Sequence, residues 1–286
     1  MMWLYLIVGG VFAYILVTLY LTYLFHQFPR DPIKETVNWG VVTDTCIPTA
    51  DDGSLEVWRV EPDGPSRGVV VFAHSWGRNR DPMVWRARVF GEMGFTTVMY
   101  SSRDHGGSSR HRLMNVYRFA EDMEAVLDWV DEPVFLYGHS AGAAAAVIAA
   151  HRTPDRVRLL FLEACYARTK EALLAFYCSY NRFLGLFSGP MVIFWLDMFY
   201  GFALDRISPV RLAPDIDIPV LIIHGELDPG FPLHHAWRLR DAFPPGRAEL
   251  FVVEGGEHST CSLRPQYPAG IKAFVDRHLR PLPDFS

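Results

Sequence analysis

A chain of 286 residues holds one sizeable α/β domain with a short appendage and excludes two independent domains of ordinary size. Half of its residues are hydrophobic and the formal net charge is only -5, so a substantial core can be buried and nucleic acid is excluded as a partner. The four cysteines, Cys46, Cys165, Cys178 and Cys261, form neither a CxxC pair nor a histidine-bearing metal pattern and read as free thiols.

The first predicted element is a helix over residues 2–25, a run without a charged side chain. At about 1.5 Å per residue it measures about 36 Å, enough to cross a hydrocarbon core of about 30 Å. It exceeds the usual apolar length of a signal peptide, lacks a basic leader and meets no small-residue cleavage site, so it reads as a retained anchor. Trp3, Tyr5, Tyr20 and Tyr23 suit the aromatic belts of the two headgroup layers. Arg30 and Lys34 follow the run, which by the positive-inside tendency places the remainder of the chain in the cytoplasm. The unpaired cysteines and the absence of an N-x-S/T sequon agree.

After a polar link at 27–35, strand-like and helix-like segments alternate, the pattern of βαβ units around a mostly parallel sheet of about eight strands. Residues 41–47 and 54–60 form an opening hairpin across Asp51, Asp52 and Gly53. A nearly continuous apolar run at 68–73 suits a central strand covered on both faces, and further buried strands fit 95–100, 134–137, 157–162, 220–223 and 248–253. Helical spacing marks 83–93, 119–130, 141–151, 234–242 and 268–279. One stretch breaks the rhythm: 166–205 lacks a strand and is crowded with aromatic residues, which predicts a helical cap. Read as a second span, that stretch would put the two halves of the sheet on opposite sides of a bilayer, and Pro190 is expected to break it. The resulting division is 1–28 anchor, 29–165 first part of the core, 166–205 cap and 206–286 second part of the core.

Gly138-His139-Ser140-Ala141-Gly142 lies between an apolar strand and an alanine-rich helix, the strand–turn–helix context of a nucleophile elbow. A hydroxyl is a poor nucleophile at neutral pH, so Ser140 needs a base within hydrogen-bond reach and a third group to orient that base. Asp228 follows the strand at 220–223, and His258 follows the strand at 248–253. The order Ser, Asp, His is the one this strand–turn–helix arrangement uses. Glu163 is the rival acid, ahead of Glu226 and Glu257, whereas His139 and His224 adjoin strand ends, where packing roles are commoner. A developing oxyanion needs backbone N–H donors, expected from Ala141 and from the loop after residue 73, where Trp76 is preferred over Ser75. Arg78, Asn79 and Arg80 in that loop are further candidates to meet a polar substrate group, against the ordinary reading as solvated charges.

Over residues 36–281 these motifs resemble the α/β-hydrolase superfamily. His74-Ser75-Trp76-Gly77 resembles its HGxG loop with Ser75 in place of a glycine, and the segment from Tyr100 to Ser108 resembles its D-x-R-G-H-G-x-S turn with Ser101 in the aspartate position. The short cap and Ile207-Ser208-Pro209-Val210 are similar to bacterial serine hydrolases grouped near prolyl-oligopeptidase-like and BEM46-like proteins. The resemblance implies esterase or related acyl-transfer activity on a small-molecule or lipid-like ester, with no metal or organic cofactor. A peptidase, amidase or thioesterase of the same fold, and a catalytically silent membrane-tethered binding protein, are the alternatives.

Overall fold

The computed structural model describes residues 1–27, 30–111 and 113–279. The boundary drawn at 28/29 and the chain end beyond Leu279 lie outside the described residues.

Helix α1, Met2–Leu24, leads into an eight-stranded sheet. The strands are β1 Val41–Thr49, β2 Gly53–Glu61, β3 Val69–Ala73, β4 Thr96–Tyr100, β5 Val134–His139, β6 Val157–Glu163, β7 Val220–Gly225 and β8 Ala248–Val253. Their order across the sheet is β1-β2-β4-β3-β5-β6-β7-β8. The expected hairpin is present: β1 pairs with β2 antiparallel, with Asp51 and Asp52 both at positive φ in the turn. The pair β2–β4 is antiparallel too, and every pair from β4 to β8 is parallel.

The remaining helices are α2 Val84–Glu92, α3 Val116–Val130, α4 Ala141–Arg152, α5 Thr169–Tyr180, α6 Arg182–Phe199, α7 Pro209–Leu212, α8 His234–Arg240 and α9 Tyr267–His278. One core layer lies between the sheet and α3, α4 and α8; the other lies between the sheet and α2 and α9. The central strands β3, β4, β5 and β7 are buried throughout, which suits their largely apolar sequences, since neither face meets water. The residues of α4 from Ala141 to Ala150 are all buried, and their small side chains let the helix lie close to the strands beneath.

The stretch without strands is the helical hairpin α5–α6. Pro190 does not break it: α6 runs unbroken through the proline. The residue forfeits one backbone bond, to the Leu186 carbonyl, and stands on the exposed side of the helix, where its ring meets no packed neighbour layer. Both α1 and α6 are long and apolar enough to cross a membrane by length and composition, α6 being the more buried of the two. They touch each other. The Tyr14 hydroxyl donates to the Phe187 carbonyl at 2.8 Å, and the Trp195 indole donates to Thr18 Oγ1 at 2.9 Å.

Candidate active site

The sharp turn between β5 and α4 places Ser140 at φ 55° and ψ -113°, a conformation unfavourable for a residue with a side chain. Surrounding contacts hold it there. The Ser140 N–H donates to the Glu163 carbonyl on β6 at 2.9 Å, and the Ser140 carbonyl accepts from Ala143 and Ala144 in the first turn of α4. The two flanking glycines are required by close approach: a Cβ on Gly138 would overlap the backbone of Gly142 and Ala143, and one on Gly142 would overlap the carbonyl oxygens of Ala73 and His74.

Asp228 stands in the loop after β7 and His258 in the loop after β8, and the sheet order brings both beside the elbow. His258 Nε2 lies 3.0 Å from Ser140 Oγ, and His258 Nδ1 lies 2.8 Å from Asp228 Oδ2. The N–H groups of Gly230 and Phe231 donate to the other carboxylate oxygen, Asp228 Oδ1, at 2.8 and 2.9 Å. Burial opposes ionisation of Asp228, but the hydrogen bond from His258 and the Phe231 N–H outweigh it and hold the carboxyl below its ordinary range. A carboxylate that only accepts fixes the proton of His258 on Nδ1, which leaves Nε2 as the acceptor facing the Ser140 hydroxyl.

The rival acid is engaged elsewhere. Glu163 is fully buried and forms a bidentate pair with Arg86, at 2.5 and 2.6 Å, and it also accepts from the Tyr137 hydroxyl. Burial pushes the Glu163 carboxyl up, but Arg86 more than offsets this and holds it below the ordinary value. The same Arg86 donates to the Ser259 carbonyl at 3.4 Å, next to His258, and His139 Nε2 bonds the His258 carbonyl at 2.8 Å. This network therefore grips the loop that carries His258. His224 Nε2 donates to the Phe231 carbonyl at 2.6 Å, the packing role expected for it. Glu226 accepts from the Gly255 N–H at 3.0 Å, and the Glu257 carbonyl faces Cys261 Sγ.

In the loop after β3, Trp76 lines the same cavity as Ser140 and Ala141, its ring stacked on Phe119 at 5.6 Å, whereas Ser75 is not among the lining residues. Arg78 is exposed. Its neighbours are committed to the fold, since Asn79 donates to the Asp31 carbonyl and Arg80 lies over Trp58 between Asp44 and Glu56. Ser101, in the position where an aspartate was expected, donates to Glu56 at 2.6 Å. All four cysteines are free; burial pushes the Cys261 thiol up to about 12, which leaves it inert as a nucleophile at neutral pH.

Above Ser140 lies a cavity of about 110 Å³ with apolar and aromatic walls. Leu173, Phe176 and Tyr177 of α5, Leu196 of α6, and Tyr200 and Leu204 beyond it form its roof, and Tyr166 and Phe231 close the sides. Two further wall residues were missed in the sequence: Phe25 and His26, at the end of α1. His26 meets Trp76 edge-on at 5.7 Å, and Phe25 packs on Tyr177 at 4.8 Å. The available signal was His26 itself, a polar residue four positions after Thr22 and so on the same helical face.

The chain is similar to several known proteins. Residues 64–192 match the hydrolase family described as serine aminopeptidase, S33. The lysophosphatidylserine lipase ABHD12 of Mus musculus is 26% identical over 87% of this chain, and the match spans 65% of that protein's own length, less than two thirds. Among solved structures, an esterase of Pyrococcus furiosus superposes with a TM-score of 0.67 over 88% of this chain and all of its own, at 17% identity. A bacterial membrane phospholipase A does so at 0.63 over 96% of each chain, at 16% identity. With its parallel sheet, its strand–turn–helix elbow and these likenesses, the chain has the α/β-hydrolase fold and is similar to serine hydrolases built on it.

Proposed function

We propose that the protein hydrolyses carboxylic esters with apolar acyl chains through an acyl-enzyme, with Ser140 as nucleophile, His258 as base and Asp228 as the group that orients the base. One observation carries this reading: an unbroken hydrogen-bond chain from Asp228 through His258 to Ser140 that ends beneath an aromatic cavity. Ser140 Oγ attacks the ester carbonyl while His258 Nε2 takes its proton; the N–H groups of Ala141 and Trp76 hold the oxyanion. His258 returns the proton to the departing alcohol. Water, deprotonated by the same nitrogen, then attacks the acyl carbonyl and releases the carboxylic acid and free Ser140. No step needs a metal or an organic cofactor.

Helix α1 anchors the enzyme in a membrane in this reading, with Arg30 and Lys34 on the cytoplasmic side together with the catalytic domain. The lipase relative agrees with an ester or lipid substrate, and the serine aminopeptidase family with an amide. An apolar wall suits an acyl chain better than the charged terminus of a peptide. A fluorophosphonate probe should label the wild type and not Ser140→Ala. Turnover should rise from acetyl to longer acyl esters and stay low on aminoacyl amides. Labelling that persists in Ser140→Ala removes the nucleophile, and faster turnover of the amides removes the ester.

A further inference from the structure

The second half of helix α1 turns its polar side chains inward, the sense opposite to that of a helix in water. Its polar residues Tyr14, Thr18, Thr22 and His26 recur every fourth position and so line one face. That face is turned inward: Thr18, Thr22 and His26 are at most 3% exposed, and Tyr14 is half-buried against α6. The hydroxyls of Thr18 and Thr22 are returned to the helix backbone, at Tyr14 and Thr18 respectively. The outward faces carry Leu4, Ile7, Val8, Val11, Phe12 and Leu16, all at least half exposed.

The first half of helix α6 repeats the inversion, while its second half buries Val192, Ile193 and Leu196 against the hairpin core. Gly185, Ser188 and Gly189 are buried, the glycines against α5, while Phe183, Leu184, Leu186 and Phe187 are between 54% and 85% exposed. Of its two charges, Asp197 is buried and paired with Lys170 at 2.5 Å. Arg182 follows Tyr180, which packs on Phe25 just beyond the end of α1. Small and polar groups inside with large apolar groups outside is the arrangement that hydrocarbon selects, because lipid satisfies no hydrogen bonds and solvates phenylalanine without cost. The contacts between Tyr14 and Phe187 and between Thr18 and Trp195 set α6 beside the second half of α1. The exposed apolar residues of the two helices therefore belong to neighbouring elements.

We propose that the α5–α6 hairpin lies in the leaflet next to the catalytic domain, beside α1, and that the two helices form one bilayer-contacting surface through which an acyl chain passes sideways into the cavity above Ser140. The cavity wall made by Phe25, Phe176 and Leu196 is then the meeting place of lipid and catalytic loop, and Arg182 stands at headgroup level. This inference rests on the proposed reading of α1 as an anchor and of the site as an ester hydrolase.

The test is fluorescence of an environment-sensitive label on the full chain in phosphatidylcholine vesicles, placed in a Cys46→Ser/Cys178→Ser background, which removes the two free thiols that are not buried, at Phe187→Cys or at Val8→Cys. Both labels should be quenched by spin labels carried on lipid acyl chains. Quenching at position 8 and none at 187 overturns the embedded hairpin and leaves the anchor standing; none at either position removes the anchor and the inference with it. A label at 187 that is shielded from aqueous quenchers yet untouched by spin-labelled lipid is covered by a second copy of the chain, which also overturns the proposal. The double variant Phe183→Asp/Phe187→Asp lies outside the cavity and should lower hydrolysis of long-chain esters in vesicles by about tenfold or more, with soluble short esters changed less than about twofold. Vesicle hydrolysis unchanged by the variant sinks the route. Loss of both activities marks a disturbed fold, and the quenching pair then decides alone. Failure of the nucleophile reading would appear separately, as absent fluorophosphonate labelling.

Discussion

The site has a floor and a roof, and they are built by different physics. The floor consists of the elbow and the loops after β3, β7 and β8, where Ser140, His258, Asp228, Glu163 and Arg86 are held by directed hydrogen bonds within 2.5–3.0 Å. The roof consists of the end of α1 and the α5–α6 hairpin, where Phe25, Phe176, Tyr177 and Leu196 meet through contacts that have no preferred partner. Directed bonds fix an angle and a proton position, which bond-making requires; apolar contact fixes only a volume, which is what selection of an acyl chain requires. Damage to the floor should therefore lower turnover for every substrate, and damage to the roof should change which substrate is preferred.

The strongest way to break that contrast is Asp228→Asn. The amide would keep the shape of the side chain but could present an N–H to His258, which turns the imidazole to the tautomer that cannot accept from Ser140. A fall in kcat of about 10⁴-fold is expected, equal for short and long acyl esters. A loss confined to one chain length would erase the distinction between floor and roof. Next in size is Arg86→Met, which leaves Glu163 buried without its partner. Removing one member of a buried pair costs about 3–5 kcal/mol, so the variant should unfold at markedly lower denaturant while the conservative Arg86→Lys recovers part of the loss. Equal stability of wild type and Arg86→Met would show that the network does not hold the floor.

The floor was largely legible in the sequence because its parts are local patterns. An apolar run followed by Gly138-His139-Ser140-Ala141-Gly142 can fold in few ways, and the loops of Asp228 and His258 each follow such a run. The assignment of Glu163 was not legible: its partner Arg86 lies 77 positions upstream on α2, and nothing local distinguishes a carboxylate that serves His258 from one that serves an arginine. The roof was readable only in outline. Helical spacing marks 166–205 as helical, but the part played by Phe25 and His26 depends on α1 folding back onto α6, a contact 173 residues apart in sequence at Tyr14 and Phe187. Pro190 was misjudged for a related reason, since the cost of a proline depends on the side of the helix it occupies, and that side is set by packing.

Acid sharpens the comparison from the side of the floor. His74, His105 and His139 lie near the loops of the candidate site and stay neutral because burial disfavours their charge: His139 is lowered to about 3, His105 to about 4, and His74 well below its ordinary value. The unfolded chain takes up these protons near pH 6.5 and the fold does not, so their contribution to stability is complete above about pH 6.5 and is lost as pH falls toward about 4, at up to about 1.4 kcal/mol per unit for each histidine. Thermal unfolding followed between pH 8 and 4.5 should show a steady fall in midpoint beginning near 6.5. A flat profile would mean that these rings take up protons in the folded protein over the same pH range as in the unfolded chain.

The smallest expected effect belongs to the roof and isolates it. Leu173 of α5 is half-buried and lines the cavity without taking part in the hydrogen-bonded chain below. Replacing it with tryptophan fills part of a space of about 110 Å³ from above and leaves Ser140, His258 and Asp228 their own partners. A few methylenes denied room in an apolar pocket are worth about 1–3 kcal/mol, so the ratio of kcat/KM for long over short acyl esters should fall about tenfold or more. The fall should arise mainly in the long-chain value, because a short acyl group reaches the elbow without touching α5. If Leu173→Trp instead depresses short and long esters alike, the roof governs the geometry of the reaction itself, and the separation between a floor that reacts and a roof that selects fails at its softest point.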